Sequence, residues 1–137
     1  MTKTVHILLA EDNDGDVFLV RRALEKRGLQ HELTVARNGE EALKLLDGAG
    51  SDPNFEAPDL IVLDLNLPKV DGTQVLLRIR KTAALGTIPV IVLTSSDSPK
   101  DRESALELGA NLYFRKPTDL PSFMHLGEVV ETMLRER

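Results

Sequence analysis

There is no cysteine in the 137 residues, so disulfides and any thiolate metal or redox site are excluded. No stretch is apolar for long: the longest run, Ile88 to Leu93, falls far short of the ~20 residues a membrane span needs, and Met1 to Lys3 lead straight into a strand-like segment. No membrane association is expected. The 17 basic residues are scattered in a chain of net charge −5, so there is no positive stripe to track a phosphate backbone and no nucleic-acid partner is expected. Repeats and low-complexity tracts are absent, and the length leaves no room for a second domain. His6, His31 and His125 lack the spacing of a metal site, and the serines of TSSDS lack a nucleophile-elbow context. What remains is a 42% hydrophobic, 28% charged chain, the composition of a soluble globular domain, with the cytoplasm as its default compartment.

The chain alternates short aliphatic runs with amphipathic stretches, the pattern of an α/β fold whose parallel sheet carries helices on both faces. Five strands are predicted, at Val5 to Ala10, His31 to Ala36, Leu60 to Asp64, Pro89 to Thr94 and Leu112 to Arg115. Between them, Val17, Val20 and Leu24 mark a first helix ending near Gly28, and Ala42, Leu43 and Leu46 a second beginning about Gly39. Val75, Leu76 and Ile79 mark a third after Asp71-Gly72, a fourth starts at Ser98-Pro99, and the last follows Asp119 with Phe123, Leu126, Val130 and Met133. Asp47 to Pro58 has a linker's composition but reads as a long surface loop, because the strand after it completes the sheet.

Ligands of such sheets bind beyond the carboxyl ends of the strands, where the strand order reverses. Strand one runs into Glu11-Asp12, strand three ends in Asp64, strand four in Thr94, and strand five is followed by Lys116. With the order 2-1-3-4-5, three carboxylates converge on one crevice and need a cation to offset their repulsion. Mg²⁺, with its preference for hard oxygen ligands, and the point charge of Lys116 both fit. An enclosed Asp64 is then a candidate nucleophile toward phosphorus, with Lys116 and the metal stabilising the transferred charge. Singly, these residues have plainer readings: the acids from Glu11 to Asp16 can cap a helix, and Lys116 can be a surface lysine. An EF-hand is excluded, since Gly15 lies three rather than five residues after Asp12.

In this order and spacing, LLAEDN (Leu8 to Asn13), LIVLDLNLPKVDG (Leu60 to Gly72), VLTS (Val92 to Ser95) and GANLYFRKP (Gly109 to Pro117) resemble the receiver domain of two-component response regulators over nearly the whole chain. The form DLNLPK and the long loop before strand three are most similar to small single-domain regulators of the phytochrome-associated type. The resemblance implies a flavodoxin-like (CheY-like) five-stranded parallel sheet, with Glu11 and Asp12 as the acid pair and Asp64 as the phosphoacceptor. It makes Thr94 and Lys116 the catalytic partners, Thr94 and Tyr113 the switch pair, and the backbone carbonyl of Asn66 a further Mg²⁺ ligand. It implies a cis Lys116-Pro117 bond, and Asn66 and Ser96 at positions that tune hydrolysis. The phosphodonor would be a sensor histidine kinase, phytochrome-type in kind, or a phosphotransfer protein, and the output a contact with a downstream protein target. The chain would be one receiver domain over 1–137 with no output domain and no turnover activity. The alternatives are a flavodoxin-like adaptor whose acid pocket holds Mg²⁺ without being phosphorylated, and an aspartyl-phosphate phosphatase or mutase. The last is disfavoured, because such enzymes place the nucleophile on strand one and need a cap.

In the final helix Val129, Met133, Leu126, Val130, Phe123 and Leu134 spread over about 140°, more than the ~100° that one-sided packing requires. Phe123, Leu134 and Val130 are the expected core members. Val129 and Met133, with Leu112 and Phe114 on the edge strand, predict a homodimer through the face of helix four, strand five and helix five.

Overall fold

The computed structural model describes residues 3–136. Five strands, β1 (Val5–Ala10), β2 (His31–Ala36), β3 (Leu60–Leu63), β4 (Val90–Thr94) and β5 (Leu112–Arg115), form one parallel sheet in the order β2-β1-β3-β4-β5. The helices are α1 (Asp14–Lys26), α2 (Gly39–Leu46), α3 (Gly72–Lys81), α4 (Pro99–Glu107) and α5 (Leu120–Arg135), with a 3-10 turn at Ala83–Leu85 that the sequence did not announce. None of the described helices is long and apolar enough to cross a membrane.

The central strands β1, β3 and β4 are buried on both faces over most of their length and divide their side chains by alternation, while the edge strands β2 and β5 are only partly covered. Leu8, Ala10, Ile61, Leu63, Val90 and Val92 enter a core shared with α2 and α3. Ile7, Leu9, Leu60, Val62, Ile91 and Leu93 enter the opposite core, shared with α1 and α5. Each α-helix begins on a polar side chain that accepts a backbone N–H of the first turn: Asn13, Asn38, Asp71, Ser98 and Asp119. These caps fix where each helix leaves its strand, so the loops at the carboxyl edge of the sheet are short and held.

Two glycines set close approaches. A Cβ at Gly72 would lie 2.1 Å from the Asp64 carbonyl oxygen, so only glycine lets α3 start against the chain leaving β3. A Cβ at Gly127 would lie 2.3 Å from the Ala23 carbonyl oxygen, where α5 presses on α1. That contact centres the α5 stripe on Phe123, Leu126 and Val130, all buried, while Leu134, expected in the core, is half-buried along with Val129 and Met133.

β3 stops at Leu63 and β4 starts at Val90, one residue inside the expected limits in each case, although Asp64 N–H still donates to the Ala10 carbonyl at 3.0 Å. Pro89 has no N–H to give the ladder, but its carbonyl accepts from Ile61 N–H at 3.0 Å. The 47–58 segment is the expected loop, tied down by Ala49 and Phe55 packing on the α2–α3 core. All peptides among the described residues are trans, including Lys116–Pro117, against the cis bond implied by the resemblance. With the trans bond Lys116 N–H donates to the Thr94 carbonyl at 2.7 Å and its side chain reaches the acids, so the pocket does not require the cis isomer.

Candidate functional site

At the carboxyl edge, the ends of β1 and β3 bring Glu11, Asp12 and Asp64 together. Their carboxylates offer oxygens all within 4.8 Å of one another. Glu11 and Asp64 are buried and Asp12 is exposed, so the group has a closed floor and an open mouth. The loop after β3 turns back so that Asn66 N–H donates to Asp64 Oδ1 at 3.0 Å. Asp64 Oδ2 accepts from Lys116 Nζ at 2.9 Å, and the same ammonium lies 2.7 Å from Glu11 Oε1 and 2.8 Å from Asp16 Oδ2. Lys116 is carried in by β5, which pairs with β4 as far as Thr94↔Arg115.

Thr94 is fully buried at the end of β4, its Oγ1 accepting from Ser96 N–H at 3.3 Å. Tyr113 is buried, and its hydroxyl donates to the Ser96 carbonyl at 2.9 Å. Its ring also faces the Arg102 guanidinium at 6.0 Å.

Asp16 is the one member of the constellation that sequence reasoning passed over as a helix-capping acid. Its one signal is its place in the first turn of α1, three residues after the cap Asn13 at the carboxyl edge of β1, a place it shares with Asp14. Asp14 is turned away and pairs with Arg37 at the end of β2.

Burial, reinforced by the charge of Asp64, pushes the Glu11 carboxyl up to about 7 even though Lys116 pulls it the other way. Burial acts to lower the Lys116 pKa, but its bonds to Asp16, Glu11 and Asp64 outweigh this and hold the ammonium above its ordinary range. Glu11 Oε1 is buried and receives no well-directed hydrogen bond from the described residues, despite the nearby ammonium. One lysine among four carboxylates leaves the pocket negative. Hard oxygen donors, a buried Glu11 Oε1 met only by the poorly directed Lys116 ammonium, and uncompensated negative charge fit a divalent cation.

A pH dependence follows from Glu11. Its folded-state pKa lies above the usual 4.5 of a free glutamate, so without metal the folded state binds the extra proton, and stability falls as pH rises from about 4.5 to about 7. A cation needs the deprotonated form, so affinity should run the other way. Between a plateau above pH 8 and pH 6, calorimetric titration with Mg²⁺ should show roughly tenfold weakening. A flat profile over that range would show either that the Glu11 carboxylate is not a ligand or that its pKa is not raised.

An enclosed aspartate, flanking acids, a reaching lysine and a buried threonine thus stand together at the carboxyl edge of a five-stranded parallel sheet, the arrangement that the receiver-domain resemblance implies. Residues 7–126 match the response regulator receiver domain, and the chain belongs to that family. It is 38% identical over 130 residues to the response regulator Rcp1 of Synechocystis sp., an alignment covering 95% of this chain and 88% of Rcp1. The Mn²⁺-bound structure of Rcp1 superposes with a TM-score of 0.83, covering 93% of this chain and 92% of that one. The phosphorylated cyanobacterial phytochrome response regulator RcpA, 36% identical, superposes with a TM-score of 0.87 over 97% of this chain and 95% of its own. The bacteriophytochrome response regulator AtBRR, 40% identical, gives 0.73 over 94% and 91%. The chain is thus a response regulator receiver domain of the two-component type, similar to regulators associated with phytochromes.

Proposed function

We propose that Asp64 is the phosphoacceptor of this receiver. The observation that carries the assignment is its placement: Glu11 is wholly buried and Asp12 is exposed, whereas Asp64, 5% exposed, is held by Asn66 N–H and Lys116 and still meets solvent at the mouth of the pocket. The donor would be a phosphohistidine of a sensor histidine kinase or phosphotransfer protein. An Asp64 carboxylate oxygen attacks phosphorus, an O–P bond forms as the N–P bond breaks, and the electron pair stays on the imidazole, which takes a proton from solvent. Lys116 then faces the transferred negative charge, and the Thr94 hydroxyl is available to bond it. Mg²⁺, held by Glu11, Asp12, Asp64 and the backbone carbonyl of Asn66, would neutralise charge on the phosphoryl oxygens. The chain accepts one phosphoryl group per molecule and is no turnover enzyme.

Similarity to RcpA and AtBRR supports a phytochrome-type sensor as the upstream partner; the target would be a downstream protein, in the cytoplasm. The signal would pass through Thr94 and Tyr113, whose contacts both meet at Ser96 beside α4. α4 buries only Ala105, so it is the helix most cheaply displaced. The test is incubation with acetyl phosphate and Mg²⁺ followed by intact-mass measurement. A stable gain of one phosphoryl unit supports the switch, no gain supports a non-phosphorylated adaptor, and rapid phosphate release supports an enzyme.

We also propose a homodimer on the face of α4, β5 and α5. Leu106 is exposed there, and Leu112, Phe114, Val129 and Met133 are half-buried. Leu112, Val129 and Met133 line a shallow groove between β5 and α5. Light scattering at high micromolar concentration should give a dimer mass that Val129→Asp with Met133→Asp reduces. A monomer mass, with and without a phosphoryl mimic, removes the dimer.

A further inference from the structure

We infer that Asp16 is a positioning residue for phosphoryl transfer, one that aims the Lys116 ammonium at Asp64; the inference rests on the assignment of Asp64 as phosphoacceptor. An ammonium has three N–H donors. Here three carboxylates surround it, Glu11 at 2.7 Å, Asp16 at 2.8 Å and Asp64 at 2.9 Å, and only Asp16 stands outside the group that could hold a metal. When a cation draws in Glu11 and Asp64, Asp16 is the acceptor left to Lys116 alone. It can then keep a flexible four-carbon side chain in one place while the other two partners are shared.

Asp16 is itself anchored. Its N–H donates to Asn13 Oδ1 at 2.9 Å, and the next residue, Val17, is buried in the α1–α5 core with its N–H on the Asn13 carbonyl at 3.0 Å. An acid in the first turn of a helix is favoured by the helix dipole, which accounts for its presence but not for its direction. Asp14 in the same turn is free of the pocket and pairs with Arg37. The two neighbouring acids are thus divided between two cations, and the one that faces the pocket spans 100 residues of sequence to Lys116.

With acetyl phosphate as donor, the bond made is from an Asp64 oxygen to phosphorus, the bond broken is from phosphorus to the acetate oxygen, and acetate leaves. Asp16→Ala should lower the labelling rate constant at saturating Mg²⁺ about tenfold, the loss of one charge-assisted hydrogen bond. Mg²⁺ affinity should stay within about twofold, since no ligand is removed. Asp16→Asn, whose amide oxygen still accepts an N–H, should recover most of the rate, which a change in packing alone would not do. A second measurement needs no phosphodonor: hydrogen exchange of the Lys116 ammonium, followed by NMR, should be markedly faster in Asp16→Ala than in the wild type. Unchanged exchange, wild-type labelling by Asp16→Ala, or an Asn variant as slow as Ala overturns the positioning role. A loss of Mg²⁺ affinity matching the loss of rate also overturns it, by making Asp16 a metal ligand. If the wild type is not labelled while exchange responds as expected, the phosphoacceptor assignment fails and the Asp16–Lys116 coupling stands.

Discussion

Asp64→Asn is expected to take up no phosphoryl group from acetyl phosphate under conditions that label the wild type fully. The substitution changes almost no volume and leaves one side-chain oxygen, so a fold built around the buried strands should survive it. The chemistry does not survive, because a neutral amide is a poor nucleophile and its product would not be an acyl phosphate. The change also alters what Lys116 meets. In the native pocket Oδ1 accepts Asn66 N–H and Oδ2 accepts the ammonium, so an amide group must present an NH₂ to one of two donors. One of these bonds is lost, at a cost of about 1–3 kcal/mol. Against that, removing the Asp64 charge relieves one of the causes that raise the Glu11 pKa. Circular dichroism should therefore be native in shape, with at most a modest drop in melting temperature. Labelling equal to the wild type would move the phosphoacceptor to another carboxylate, and peptide mapping of the adduct would then identify it.

Much of this site could be read without coordinates because its parts lie at strand ends. Four aliphatic runs and the shorter LYFR fix the strands, and the requirement that a parallel sheet place ligands beyond its carboxyl edge sends Glu11, Asp12, Asp64, Thr94 and Lys116 to the same region. Side-chain direction was less accessible. Asp14 and Asp16 are the same residue type in the same turn, and only the positions of Arg37 and Lys116 in space separate their roles. The α5 stripe was placed slightly off centre, because periodicity cannot show that α1 and α5 touch at Gly127. Arg80 gave no sequence signal either: an arginine in the last turn of α3 reads as a solvated cation favoured by the helix dipole. In the fold its guanidinium is half-enclosed and bonds the carbonyls of Gly109, Gly86 and Ile88, tying the turn before β5 to the segment before β4. Such ties depend on where loops end in space, which local pattern does not encode.

Lys116→Met should separate two properties that move together in most site variants: it should bind Mg²⁺ more tightly and yet be labelled far more slowly. The wild-type ammonium repels an arriving cation and contacts three carboxylates, so its removal makes the pocket more negative and frees Glu11 and Asp64 for the metal. The transferred phosphoryl group loses its fixed positive partner, and a loss of a hundredfold or more, on the order seen for single electrostatic stabilisers, is expected in the labelling rate. Stability should show a matching pattern. Without metal, Glu11 loses two interactions with Lys116 that lower its pKa, so it would titrate above its present value of about 7 and stay protonated at neutral pH. Proton uptake partly offsets the missing cation there. Above that raised pKa the carboxylates are all charged and uncompensated, and breaking a part-buried pair should cost about 2–3 kcal/mol, somewhat below a fully buried one. The stability difference from the wild type should therefore widen from pH 6 to pH 9 without metal and largely close with saturating Mg²⁺, which supplies the missing positive charge. Thermal melts with and without Mg²⁺ at the two pH values, beside Mg²⁺ titration and acetyl phosphate labelling, give all three readouts. Weaker Mg²⁺ binding by the variant would mean that Lys116 organises the acids rather than opposing the metal, and labelling at the wild-type rate would remove it from phosphoryl transfer altogether.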